Sequence, residues 1–198
     1  MSALFKSALA QAELLNRRQI SAVELMQDTL ARIKTINPQV NAIISLREEA
    51  DLLVQAAQAD KSSRTGWMHG LPIAIKDLHD VKDMPSSMGS AIFADYIAEK
   101  DDIAVARVRA AGAIIIGKTN TPEFGLGSHT YNPVHGTTYN PYDLSKSAGG
   151  SSGGAAAALS TRMLPLADGS DMMGSLRKPA AWNNVYGFRP SFGLVPSE

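Results

Sequence analysis

Residues 149–177 read GGSSGGAAAALSTRMLPLADGSDMMGSLR. Two Gly/Ser turns, Gly149–Gly154 and Gly174–Ser175, flank an expected short helix and short strand, so each can aim a serine and several backbone N–H groups at one point. Glycine opens backbone angles closed to other residues and lets a ligand approach the main chain. A helix N-terminus supplies unpaired N–H donors suited to a developing oxyanion. A flexible Gly/Ser linker would not run straight into Ala155, Ala156, Ala157, Ala158 and Leu159, which are strong helix formers. The glycines therefore read as the start of a buried helix.

Working outward, the 198-residue chain is 44% hydrophobic, enough for one domain with a substantial core. Lys plus Arg and Asp plus Glu both number 19, and the balance gives no electrostatic argument for a nucleic acid or an anionic membrane as partner. Cysteine is absent, which excludes disulfides and thiolate chemistry. The N-terminal MSALFKSALAQAELL makes a poor secretory signal, and no apolar run approaches the roughly 18 residues of a membrane span. The expectation is a soluble cytoplasmic protein.

Upstream, residues 3–17 carry apolar positions at helical spacing, and Ser21 with Glu24 forms a capping-box signature for a second helix that Asn37-Pro38 should stop. A short strand over 40–46 and a third helix over 47–59 complete a helical part, 1–60. The segment GLPIAIK, 70–76, reads as a turn and an apolar strand ending on Lys76. Alone, such a lysine would reach to the surface or pair with Asp77 or Asp80. A helix over 102–111 and a strand over 113–116 follow. Residues 112–119, GAIIIGKT, match the phosphate-loop pattern, but Ala and three isoleucines occupy the positions that should form a loop, so a nucleotide-binding module is the weaker alternative. Between 125 and 147 the composition suggests an ordered long loop, with Tyr131, Tyr139, Tyr142 and Leu144 available for burial. His69, His79, His129 and His135 show no metal-ligand spacing, so neither a metal nor a cofactor is expected.

Taken together, Gly70–Asp77, Gly117–Asn120 with Glu123–Gly125, Asn140-Pro141, Gly149–Gly154, Asp171 with Gly174–Arg177, Pro179-Ala180 and Gly187–Ser191 resemble the amidase signature family of serine amide hydrolases. Lys76 precedes Ser151 by 75 residues and Ser151 precedes Ser175 by 24, as in that family. The resemblance implies an α/β fold, a mixed sheet flanked by helices with the signature core over 70–198. It implies a Ser, cis-Ser, Lys triad with Ser175 as nucleophile, Ser151 as bridge next to a cis peptide, and Lys76 as base. Backbone N–H groups of Met172, Met173, Gly174 and Ser175 would form the oxyanion hole, supported by Ser152, Asp171 and Arg177. A small amide would be the substrate.

The residues carry a chemical logic of their own. A serine hydroxyl needs a base, and a lysine whose pKa is ordinarily about 10.4 must come down by roughly two to three pH units, which burial can supply. Two departures stand out. Met173 occupies a position that is usually glycine, and family members continue well beyond the nucleophile. The second leads to the expectation that this is a truncated single domain whose missing C-terminal half, or another copy of the chain in a homo-oligomer, completes it.

Overall fold

The computed structural model describes residues 2–196; Met1, Ser197 and Glu198, at the two ends of the expected domain, lie outside the described residues. A three-stranded mixed sheet carries the site. Its order is β1 (Ile43–Ile44), β3 (Ile114–Thr119), β2 (Pro72–Lys76), with β1 antiparallel and β2 parallel to β3. Every residue of β2 and β3 is buried, as expected for parallel strands covered on both faces. On one side Ala74, Ile114 and Ile116 pack with α2 (Ala22–Val40), α3 (Glu49–Lys61) and α5 (Gly153–Ser160). On the other, Ile73, Ile75 and Ile115 meet Val105 of α4 (Ile103–Ala110), Val81 and Met84. The expected α/β architecture with a helix-flanked mixed sheet is what forms.

The pairing of β2 with β3 shifts between Ile73 and Ala74: Ile73 faces Ile115, but Ala74 faces Gly117. Ile116 is thus an extra residue in β3, and a bulge of this kind reverses which side the following residues face. Lys118 is brought opposite Ile75, and Thr119 opposite Lys76.

Several expectations change in detail. The first helix breaks at Ser7, which caps α1 (Ala8–Asn16). The capping box of Ser21 and Glu24 forms, but α2 runs through Pro38 to Val40 before Asn41 turns left-handed at φ 49°. Pro38 gives up its N–H bond to the preceding turn, and Asn37 Oδ1 accepts the Ala42 and Ile43 N–H groups at 2.9 and 2.8 Å to anchor the exit. Only Ile43–Ile44 of the expected strand pairs. Within 149–177 the helix is α5, but none of residues 161–176 joins a sheet.

The 125–147 loop is ordered by two small hairpins, β4 (Tyr131–Asn132) with β5 (Gly136–Thr137) and β6 (Tyr139–Asn140) with β7 (Asp143–Ser147). Its tyrosines do not anchor it, since Tyr131 and Tyr142 are 64% and 66% exposed. Buried amides do: Asn132 donates to Asn120 Oδ1 and the Thr121 carbonyl, while Asn120 donates to Thr138 Oγ1 and the Gly136 carbonyl. Among the described residues no helix is long and apolar enough to cross a membrane.

Candidate active site

Lys76 ends β2 with its side chain at 0% exposure. It neither reaches the surface nor pairs with Asp77 or Asp80. Its Nζ donates to three hydroxyls, Ser151 at 2.7 Å, Ser152 at 2.9 Å and Ser170 at 2.8 Å. Three acceptors satisfy the three protons of an ammonium, yet burial still disfavours its charge and takes the lysine from 10.5 down to about 8, against the carboxylates of Asp168 and Asp171, which pull it up. Asp77 turns instead to Lys118, at 3.0 Å, with both side chains buried.

The first serine turn is shaped by close contacts. The Gly150–Ser151 peptide is cis. A side chain on Gly154 would lie 2.4 Å from the Asn120 nitrogen and 2.6 Å from the Ala42 carbonyl oxygen, so glycine alone lets α5 sit this close to the sheet. Ser152 precedes α5 but does not cap it with its side chain. Its hydroxyl donates to the Ser170 carbonyl at 3.3 Å and accepts from Lys76. With that hydrogen committed, Ser152 can only accept from the amine. Among the described residues the Ser151 hydroxyl is hydrogen-bonded to Lys76 alone.

The second turn is organised by Asp171. Its carboxylate accepts the N–H groups of Gly174, Leu176 and Arg177 at 2.8, 3.2 and 3.0 Å, and a two-pronged contact from the Arg177 guanidinium at 3.0 Å on each oxygen. These bonds, led by Arg177, hold its carboxyl well below the usual carboxylate range. Gly174 takes φ 104°, whereas Met173 stays out of the left-handed region, so the methionine imposes no backbone strain there. Met172 and Met173 project outward, 82% and 84% exposed, and do not narrow a pocket.

One expectation changes here: the Gly174 N–H is committed to Asp171 and is not free for an oxyanion. The N–H groups of Met172, Met173 and Ser175, and the Ser175 hydroxyl, have no hydrogen-bond partner among the described residues. The two turns are joined through the main chain, where the Ser152 N–H donates to the Ser175 carbonyl at 2.9 Å.

Lys76, Ser151 and Ser152 are thus gathered around one amine, with Asp171 and Arg177 bracing the turn that carries Ser175. Sequence reasoning missed Ser170 and Asp168. Asp168 Oδ1 accepts the Lys76 backbone N–H at 2.7 Å. The Asp-Gly-Ser-Asp run at 168–171 was the available signal, but a polar turn is ordinary and names no partner. A cleft of about 170 Å3 opens beside these residues, lined by Ser152, Asp168, Gly169, Leu176, Tyr186 and Phe188 among others. A larger cavity, about 500 Å3, lies elsewhere, between the α1–α2 turn and His69.

The phosphate-loop alternative does not survive. Gly117, Lys118 and Thr119 belong to β3, and Lys118 is spent on Asp77, Ser86 and the Pro85 carbonyl. The histidines serve local contacts: His69 Nε2 meets the Ala59 carbonyl at 2.9 Å, His135 Nε2 meets Ser87 at 3.1 Å, and His79 Nδ1 meets Asp102 at 3.2 Å.

Known proteins share the sequence and fold of this chain. The amidase family model matches residues 24–198. A glutamyl-tRNA(Gln) amidotransferase subunit from Coxiella burnetii is 46% identical over 184 residues, covering 91% of this chain and 38% of that protein. The indoleacetamide hydrolase of Bradyrhizobium diazoefficiens is 41% identical over 96% of this chain and 37% of its own length. Among solved structures, a bacterial aryl acylamidase of the amidase signature family superimposes with a TM-score of 0.91 at 34% identity, covering 98% of this chain and 41% of that one. The chain therefore spans less than half the length of these relatives, and along that span it belongs to the amidase signature family.

Proposed function

We propose that this chain carries the catalytic half of an amide hydrolase that cleaves small carboxamides through an acyl-enzyme. The single observation that supports this best is the 2.7 Å contact between Lys76 Nζ and Ser151 Oγ, made where both residues are at most 1% exposed. In the neutral amine two N–H bonds remain and one lone pair is free. Ser152 has given its own hydrogen to the Ser170 carbonyl, so Ser151 is well placed to donate to that lone pair.

Once the Ser175 hydroxyl, which has no partner among the described residues, comes within reach of Ser151, Ser151 takes its proton while passing its own to Lys76, and Ser175 Oγ attacks the amide carbonyl carbon. Negative charge gathers on the carbonyl oxygen, and the Met172, Met173 and Ser175 N–H groups are the donors available to it. Gly174 serves through Asp171, which fixes the turn. The proton returns from Lys76 through Ser151 to the departing nitrogen, the C–N bond breaks, and ammonia or an amine leaves. Water deprotonated by the same route releases the carboxylic acid.

A fluorophosphonate probe tests the reading. It should label Ser175 in the folded protein, Ser175→Ala should abolish labelling, and Lys76→Ala should slow it by at least about a hundredfold. A folded wild-type chain that stays unlabelled overturns it. A second reading, a half-site that needs another polypeptide, is favoured by the exposed Met172, Met173, Tyr186, Phe188 and Phe192. Turnover of simple amides by the isolated chain would eliminate it.

A further inference from the structure

β2 is an edge strand of its sheet, so its outward N–H groups have no neighbouring strand to accept them. At Lys76 that role falls to a carboxylate oxygen, Asp168 Oδ1, at 2.7 Å. A carbonyl or an amide would accept an N–H equally well, so a full negative charge at this point is more than the strand requires. Beside it lies His79, whose Nε2 is 3.8 Å from Asp168 Oδ2 and whose Nδ1 is 3.2 Å from Asp102 Oδ2. His79 is three residues beyond Lys76 and Asp168 two before Ser170, which itself touches the Lys76 amine. An Asp102–His79–Asp168 row therefore ends on the base.

We infer that Asp168 is a positioning residue that holds Lys76 at the strand end and sets how readily its amine gives up a proton. The inference rests on the serine–lysine reading above. The charged groups concerned are few. Asp168 and Asp171 favour the Lys76 ammonium. Asp168 is pushed up by its enclosure and drawn down by His79, by the Lys76 N–H and by the charges of Lys76 and Lys118. Asp77 lies against Lys118, and Asp102 also accepts the Asp80 N–H at 3.1 Å. Removing the Asp168 charge thus makes Lys76 a weaker base that is neutral at lower pH.

The decisive measurement is the titration of Lys76 by its 13Cε shift, which requires no turnover. Asp168→Asn keeps an oxygen for the backbone N–H and removes the charge, and the Lys76 midpoint should fall by about one pH unit. Asp168→Glu, which keeps the charge, should leave the midpoint nearer the wild-type value than Asp168→Asn does. The pH at which probe labelling of Ser175 is half-maximal should follow. A midpoint unchanged in Asp168→Asn overturns the inference, and if that variant does not fold, Asp168→Ser, which also keeps an oxygen and removes the charge, decides in its place. A midpoint that moves without any labelling of Ser175 sinks the hydrolase reading and leaves this one standing; labelling with a fixed midpoint does the reverse.

Discussion

Lys76 and Lys118 stand one register step apart on neighbouring strands and face opposite sides of the sheet. Lys118 pairs with Ile75, and Lys76 with Thr119, only because Ile116 is an extra residue in β3. Without that bulge the two lysines would be cross-strand partners on one face. One therefore meets three serines, and the other a carboxylate. The bulge gives the proposed base a site free of a second ammonium.

Gly117 follows the extra residue, and a side chain there would stand 3.2 Å from Leu46 Cα and 3.3 Å from the Ser45 carbonyl oxygen. Gly117→Ala should destabilise the fold by about 1–3 kcal/mol, since the crowded neighbours are backbone. Urea unfolding measures it, and a midpoint equal to wild type would show that the bulge has room to spare.

The Lys118–Asp77 pair should behave as a buried ion pair. Asp77→Ala leaves an uncompensated ammonium and should cost about 3–5 kcal/mol. Asp77→Leu combined with Lys118→Met should recover most of that loss, so a double variant as unstable as the single one would contradict the assignment.

Lys76 should leave a mark on stability at alkaline pH. Its folded value, about 8, is below the 10.5 of an ordinary lysine, so between these values the unfolded chain holds the extra proton. Stability should rise across that window by roughly 3 kcal/mol from this group, the penalty being fully present below pH 8. Lys76→Met should flatten that rise in denaturation midpoints measured from pH 7 to 10.

Asp171 acts at the other end of the scale. Its folded carboxyl is depressed, so its contribution is present above the unfolded value of about 3.9 and is lost as pH falls below it. Asp171→Asn should cost about 2 kcal/mol at neutral pH and remove that acid-side loss. Because three turn N–H groups depend on it, probe labelling of Ser175 should fall as well.

Gly154→Ala forces a methyl group against the Asn120 nitrogen and Ala42 carbonyl oxygen, where 2.4 and 2.6 Å is all the space there is. Loss of about 3 kcal/mol or more is expected. A thermal melt like that of wild type would mean that α5 can lift from the sheet at little cost.

Much of the architecture could be read directly because its causes are local. Apolar runs marked β2 and β3, Ser21 with Glu24 marked the start of α2, and the alanines after Gly154 marked α5. Errors fell where particular side-chain contacts, not local propensity, decide. Pro38 is tolerated because Asn37 anchors the chain beyond it, and the tyrosines of 125–147 stay exposed because asparagines from separate segments order the loop.

By itself the sequence determined which chemical groups exist and roughly where: a lysine closing an apolar strand, hydroxyls in two glycine turns, an aspartate six residues before an arginine. Those are properties of residue type and local periodicity, written along the chain. Tertiary structure alone decided their company. It turned Lys118 away from Lys76 through a bulge, brought Ser170 and Asp168 to the same lysine, and committed the Gly174 N–H to Asp171. The physical reason is that hydrogen bonds and charge interactions act over a few ångströms in space, whatever the number of residues between the partners.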